Sequence, residues 1–582
     1  MNIEIKRRFN EKELPDMKTI KSDAKKIAKN ITIGETLFMK ENGVRSEVEY
    51  KKKMMKEGKI MKHSVIGWNS WSVTEEGIRK VYDGLKAAGS SIDRFGICCD
   101  WIMGVPEKYR DRFNASGSLI LNTPEEWKRL GQVVPAHPHL GDHMIGSLNG
   151  VENVTNALNA GVTSIGNLAQ YFTYEYPGLE MEDYRTEDYI KSMAIMGEFK
   201  DDGVCMHCNL DDGYGAQFHD VANLLGWTKL ERYVAEDLMG GRLAHCYGNL
   251  FSDSFLRIVF NRALTMINKY GTPGTFVNGN TIDYGFSMPR NYAALCAYAL
   301  PDVACQMKYP SGYAVAPVPF TEAIRIPAPE EIIEAQLTMD MVIEKAPYYV
   351  RYIDWDKVNS DAEILVTGAN MFFERVMTAL DDLGVDIEHA GEIVSVLKAI
   401  GPEQLEIAFG AGRKDKDAMR GRVPVMPTSI VQTINKIQDD ALVKQNFDKA
   451  PLAGVNVVVG STDVHEFGKE VIRNYLRKAG AKVFDLGVSV SISEIADTLI
   501  ETGSTIVCMS TYNGMAFSFA RDLIKSLDKA GLGDTHILMG GRLNEAMDGS
   551  DVPIDVTDKL KEMGVNADND IDTIVDTIVT YK

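Results

Sequence analysis

From His63 to about Pro329 the chain alternates short apolar runs with amphipathic stretches at helical spacing. HSVIGW precedes TEEGIRKVYDGLKAAG, HMIGSL precedes VENVTNALNAG, and RLAHCYGN precedes a helix through FLRIVFNRALTMINKYG; DRFGICCDW, QVVPAH, VTSIGN, GVCMHCN and TFVNGN are further runs ending in polar or glycine-containing segments. Repeated strand–helix units of this kind predict an α/β fold, closed as a TIM-type (β/α)8 barrel over residues 63–330, with the active site at the carboxyl ends of its strands. Those ends are read to hold Trp68, Asn69, Trp71, Asp100, Trp101, His137, His139, His143, Asn209, Asp211, Asp212, His245, Tyr247, Asn249, Asn278 and Asn280. His137 and His139 are candidates for contact with substrate or a metal, against simple loop hydrogen bonding. Asp212 is a candidate acid/base group, against a helix cap.

Residues 1–62 are rich in lysine and glutamate at helical spacing and predict a helical arm. Residues 331–450 read as a connecting α/β subdomain. From Pro451 to Lys582 the strands VNVVVG, KVFDLGV, TIVCMST and HILMGG alternate with FGKEVIRNYLRKAG, SISEIADTLIE and SFARDLIKSLDKAG, which predicts a second, Rossmann-like (flavodoxin-like) domain. The acidic run NADNDIDTIVDTI near its end reads as a solvated helix face.

Composition narrows the function. With 582 residues, 45% hydrophobic and 25% charged, the chain is globular and long enough for several domains. A formal net charge of −19 disfavours nucleic acid and anionic membrane surfaces as partners. Eight scattered cysteines read as reduced thiols, and with no long apolar window or leader-like start the expected location is cytoplasmic.

One motif carries specific chemistry. After VNVVVG comes Asp463-x-His465-x-x-Gly468 on the first strand-to-helix loop. An imidazole that ligates a metal through one nitrogen needs the other held by a carboxylate, which fixes the tautomer and raises basicity. Asp463 is placed to do this, and Gly468 lets a bulky group pass close to the backbone. Ser510-Thr511-Tyr512 and Gly540-Gly541 fall at the matching ends of the third and fourth strands. Together these resemble the cobalamin-binding domain of vitamin B12 enzymes that bind the cofactor base-off and histidine-on, whose pattern is Asp-x-His-x-x-Gly, Ser-x-Leu and Gly-Gly. The resemblance implies His465 on cobalt, Asp463 orienting it, and the dimethylbenzimidazole tail beside Ser510, Gly540 and Gly541. Here tyrosine stands in place of the leucine.

The order of segments resembles glutamate mutase with its barrel and cobalamin subunits fused. AGVTSIGNLAQYFTYEYPG resembles the barrel segment with substrate-facing tyrosines, and MKYPSG the Lys-x-Pro segment whose lysine contacts the adenosyl ribose, which implies roles for Tyr176 and Lys308. The family's arginine cluster and glutamate are not recovered; the matching positions hold Trp68, Ser147 and Gly166. Without guanidinium forks a buried dicarboxylate is poorly compensated, so a substrate other than glutamate is expected. The resemblance implies an adenosylcobalamin-dependent radical mutase acting as a homodimer on a small molecule. The alternative is a corrinoid-dependent methyltransferase, with Cys205, Cys208, His245 and Cys246 as possible zinc ligands. A non-enzymatic cobalamin sensor lacks a recognisable output module.

Overall fold

In the computed structural model, residues 14–582 are described apart from 114, 116–117, 175, 177–178, 180, 212, 249–250, 252, 282, 285–286, 323–325, 417, 434, 437–448, 464–465, 489, 513–514 and 546–553. The chain divides into two units, Met1–Phe320 with Ile326–Met426, and Thr321–Arg325 with Pro427–Lys582.

In the first unit eight short strands follow one another: β1 (His63–Ile66), β2 (Arg94–Ile97), β3 (His137–His139), β4 (Ser164–Gly166), β5 (Cys205–Asn209), β6 (Leu243–Cys246), β7 (Phe276–Asn278) and β8 (Ala314–Ala316). They pair in parallel as β1-β2-β3, β4-β5-β6 and β7-β8. Parallel bridges Leu140–Ile165 and Tyr247–Val277 join these ladders, and Lys62–Val315 ties the last strand to the first, closing a ring. Parallel neighbours require crossovers, which helices such as Trp71–Ala87, Val221–Arg232 and Ser254–Met266 supply. Each starts on a side-chain cap, Ser70, Asp220 and Asp253 respectively, that accepts backbone N–H groups left open by the first turn.

Two strand assignments differ from the pattern. HMIGSL is a buried loop rather than a strand; His143 within it has φ 62°, a left-handed conformation no strand accommodates. β8 lies in YAVAPV, where three residues before Pro317 leave no periodicity to detect.

The N-terminal arm ends in the helix Glu47–Glu57, which stoppers the amino end of the ring. Its Glu47 and Lys51 are buried. Lys51 Nζ donates to Thr275 O at 2.6 Å, and Glu47 meets Arg94 Nε at 2.7 Å and His137 Nδ1 at 3.4 Å.

Residues beyond 330 do not form a separate α/β subdomain. Helix Pro329–Val350 packs on Met288–Lys308 and Trp71–Ala87, and helix Trp355–Asp382 on Val221–Arg232 and Ser254–Met266. The apolar stripe Val358, Leu365, Ala369, Phe372 and Val376 is buried there, and Gly226 makes room for Phe372, whose Cδ1 would lie 2.6 Å from any Cβ. The boundary falls near Met426 instead of residue 450.

The second unit holds β9 (Asn456–Ser461), β10 (Lys482–Asp485), β11 (Ile506–Thr511), β12 (His536–Gly541) and β13 (Asn566–Ala567) in one parallel sheet ordered β10-β9-β11-β12-β13. This is the 2-1-3-4-5 order of flavodoxin-like folds. Val457, Val458 and Val459 are all buried, as a sheet covered on both faces demands. The acidic run NADNDIDTIVDTI is more than a solvated face. It supplies edge strand β13 and the helix Ile571–Val579, whose Val575 and Ile578 enter the core. Among the described residues no helix is long and apolar enough to cross a membrane.

Candidate functional site

In a 2-1-3-4-5 sheet the crevice opens where strand order reverses, beyond the carboxyl ends of β9 and β11. The two loops there are stitched together. Asp463 is buried, and its Oδ2 accepts the Tyr512 N–H at 2.6 Å and the Thr462 hydroxyl at 3.3 Å; Thr462 N–H donates to Ser510 O at 2.9 Å. A Cβ on Gly468 would stand 2.3 Å from Ser510 Oγ, so the group that glycine admits is the serine hydroxyl of the neighbouring strand. Gly541 has φ 100°, and its Cβ would lie 2.3 Å from Thr511 O; a Cβ on Gly540 would meet Asp568 O at 2.9 Å. His465, expected on the metal, lies outside the described residues.

A buried charge cluster anchors the loop at both ends. Asp485, ending β10, accepts Lys469 Nζ and Arg473 Nη1, both at 2.8 Å, so the start of helix Glu466–Lys478 is held to it. Its Oδ1 also accepts Gly487 N–H at 2.9 Å, and Gly487 O accepts Ser461 N–H at 3.0 Å, which fixes the other end. Burial pushes the Asp485 carboxyl up, but Lys469 and Arg473 outweigh it and bring it down to about 2.

Between Gly468, Ser510, Gly540 and Gly541 runs a cleft of about 180 Å³. Val471, Ile472, Leu538, Ile571 and Ile574 make one part apolar; Asn566, Asp568 and Asn569 line the rest. Asn569 Oδ1 accepts Gly541 N–H at 2.8 Å, and Arg542 lies 5.0 Å over the Tyr512 ring. Asp485, Asn569 and the Tyr512–Arg542 stack had no motif to announce them. They become visible only when the chain brings β10, β12 and β13 beside β9 and β11.

A family model described as B12 binding domain matches residues 453–552. Glutamate mutase sigma subunits from Carboxydothermus hydrogenoformans and Escherichia coli O157:H7 are 36% identical over 91 residues and 33% identical over 107. Through this domain the chain belongs to the B12-binding family. Those matches cover 15% and 18% of this chain and about two thirds of the subunits' own length, 66% and 69%. The small subunit of 2-hydroxyisobutanoyl-CoA mutase from Aquincola tertiaricarbonis is 29% identical over 94 residues, 16% of this chain and 68% of that one. Dimethylamine corrinoid protein 3 from Methanosarcina acetivorans is 23% identical over 172 residues, 29% of this chain and 76% of that one.

The cleft of the B12-binding domain suits a flat, largely apolar group that enters between three glycines, since a Cβ at Gly468 or Gly540 would crowd its walls.

In the ring the expected residues scatter. His137 begins β3, at the amino end, where Glu47 and Thr163 hold its two nitrogens; it is part of the stopper rather than of a strand-end site. Burial lowers its pKa to about 4 despite Glu47. Glu47 is raised by burial yet held at about 2 by Arg94 and Lys51. His139 faces the ring interior. Tyr176, after β4, is buried beside Trp101, 6.2 Å away, under the Arg185 guanidinium at 5.2 Å. Lys308 is exposed at the end of the helix leading into β8, so it sits at the amino end, 5.9 Å over Tyr309. That position is wrong for a ribose contact at the carboxyl ends; a lysine one residue from a proline simply marked the helix end. Asp212 lies outside the described residues. Cys208 Sγ and His245 Nε2 both bond Glu231, at 3.0 and 2.9 Å, and among the described residues no three His, Cys, Asp or Glu side chains group to hold a metal.

Proposed function

We propose that the chain is an adenosylcobalamin-dependent radical mutase, a carbon-skeleton isomerase acting on a small molecule other than glutamate. In this reading His465 binds cobalt in the base-off state, and the ring is a TIM-type (β/α)8 barrel that holds substrate at the carboxyl ends of its strands. The observation that carries it is the union in one chain of a closed eight-stranded ring with a B12-binding domain whose relatives include subunits of two different mutases. When bound, the cofactor supplies a cobalt–carbon bond whose homolysis provides the hydrogen-abstracting radical. The protein's own work is positional. With the cofactor bound, Asp463 would orient the His465 imidazole, Asp485 fixes both ends of its loop, and Gly468, Ser510 and Gly540 would shape the slot that takes the cofactor's nucleotide base. Tyr176 and Trp101 form an apolar wall that keeps water from the ring's interior.

A corrinoid methyltransferase is the second reading, favoured by the similarity to dimethylamine corrinoid protein 3. Reconstitution with adenosylcobalamin followed by anaerobic addition of candidate substrates separates them. A cobalt(II)-coupled organic radical in the electron paramagnetic resonance spectrum is expected; turnover of methylcobalamin with no radical would replace the mutase by the methyltransferase. His465→Ala should lose tight corrin binding, and sedimentation should give the dimer.

A further inference from the structure

The ring interior is unusually polar. From alternate strands β1, β3, β5 and β7 come His63, His139, His207 and Phe276, one layer of four. His139 stands edge-on to His207 with centroids 4.6 Å apart, and His63 stacks on Phe276 at 4.2 Å. Hydrogen bonds fix two tautomers. His139 Nδ1 lies 3.0 Å from Ser164 O, and a carbonyl only accepts, so Nδ1 carries the proton. His207 Nδ1 lies 3.0 Å from Thr275 Oγ1, whose own hydrogen goes to His245 O at 2.9 Å, so there too Nδ1 donates. Both Nε2 atoms are therefore lone-pair acceptors. Burial and the charge of Arg94 keep both rings well below the ordinary imidazole range, hence neutral at pH 7.

His207 Nε2 has the Cys246 thiol 3.8 Å away; His139 Nε2 is buried without a hydrogen-bond partner. Both face one spot at the carboxyl end of β3, since a Cβ on Gly141 would stand 3.1 Å from the first-named ring's partner, His139 Nε2, and 3.8 Å from His207 Nε2. Just past β4, Asn167 Oδ1 accepts the N–H groups of Ala169 at 3.1 Å and Asn209 at 3.0 Å, which leaves its buried Nδ2 as a donor without a partner. The buried arginines on this side are already committed. Arg185 donates to the carbonyls of Gly146, Tyr174 and Gln170, and Arg257 to Asp302 and the carbonyls of Gly248, Phe251 and Asn278.

We propose that the ring binds a small uncharged molecule carrying a hydroxyl or amide N–H, which donates to His139 Nε2, and an oxygen that accepts from Asn167 Nδ2. This rests on the reading that the ring carries the substrate site, and it narrows the substrate to an uncharged, hydroxylated or amide class. A carboxylate would set acceptor against acceptor at His139, whose Nε2 carries no proton to donate.

The test uses the full chain with isotope-labelled histidine and nuclear magnetic resonance, the His139 signals being assigned by their loss in His139→Gln. Lactamide and propylene glycol should shift the His139 Nε2 resonance saturably, while lactate and glutamate should not. Gly141→Ala sets a methyl beside the lone pair without removing the imidazole and should weaken lactamide about tenfold, the cost of one hydrogen bond. Lactate acting as strongly as lactamide, neither uncharged probe moving the resonance, or an Nε2 protonated at neutral pH would each overturn the assignment; so would a resident water that no probe displaces. Corrin uptake by the same sample is read by absorbance. Corrin bound with no probe shift removes only the ligand assignment, whereas a probe shift without corrin uptake removes only the mutase reading.

Discussion

In the C-terminal sheet, β9 and β11 present valine, isoleucine, cysteine and methionine to both faces, and after Asn456 at the start of β9 polar groups return only at Ser461 and Ser510, where the strands end. Inside the ring, His63, Arg94, His137, His139 and His207 lie on the strands themselves, in the space another barrel fills with branched aliphatics. These two strands are dry along their length and keep their polar residues for the crevice, where Asp485, with Lys469 and Arg473, serves the loop ends. A ring with a charged stopper and an imidazole layer uses them for its own packing as well, and residue type alone no longer separates site from scaffold.

The contrast can be broken most forcefully at the stopper. Arg94→Met leaves Glu47 buried without its strongest partner and should cost about 3–5 kcal/mol in denaturant unfolding, while corrin uptake by the folded fraction is retained. Acid should act in the same place. His137 titrates near 4 in the fold against an ordinary 6.5, so the unfolded chain binds its proton first and stability falls as pH drops across that window; Glu47, held near 2 against 4.5, extends the loss below it. Asp188 and Asp220, both raised by burial from 3.8 to about 7, work the other way: their contribution is full below the ordinary value and is lost as pH rises from there to about 7. Replacing His137 by Gln should therefore remove about 2–3 kcal/mol of pH dependence between pH 6.5 and 4, measured as the change in unfolding free energy.

On the crevice side the effects belong to affinity. Asp463→Ala should weaken corrin binding about 10–100-fold, as for other residues that orient a metal ligand, and should also cost about 1–3 kcal/mol of stability because the Tyr512 N–H loses its acceptor. Asp485→Asn should weaken it too, by a smaller factor, because it acts through the loop ends. The smallest effect is expected at Lys308, where alanine should alter stability by less than about 0.5 kcal/mol and leave adenosylcobalamin affinity unchanged. A large loss there would restore the ribose contact and reverse the placement given above.

Much of the C-terminal unit was legible because its signals are local. Four short strands with apolar centres, and glycines whose missing Cβ atoms are required within a few positions of a motif, can be read from adjacent letters. β13 was not, since two residues of an acidic run become a strand only by pairing with β12. In the ring, the strand–helix alternation was readable but the direction of each side chain was not. His137 and His139 differ by two residues and share a face, yet Glu47, distant in sequence, claims one, while Ser164 fixes the other. The long helices after Pro329 read as part of a connecting α/β subdomain because nothing in their own sequence says that their apolar stripe is met by the helices of the ring.

The stopper also sets an order of assembly. Glu47 and Lys51 leave the ribosome long before Arg94, His137 and Thr275 exist to receive them, so during synthesis this segment must remain hydrated and undocked until most of the strands have emerged. A chain begun at His63 would close its ring around a guanidinium with no counter-ion, and is expected to need the missing helix supplied in trans before it reaches a soluble native state.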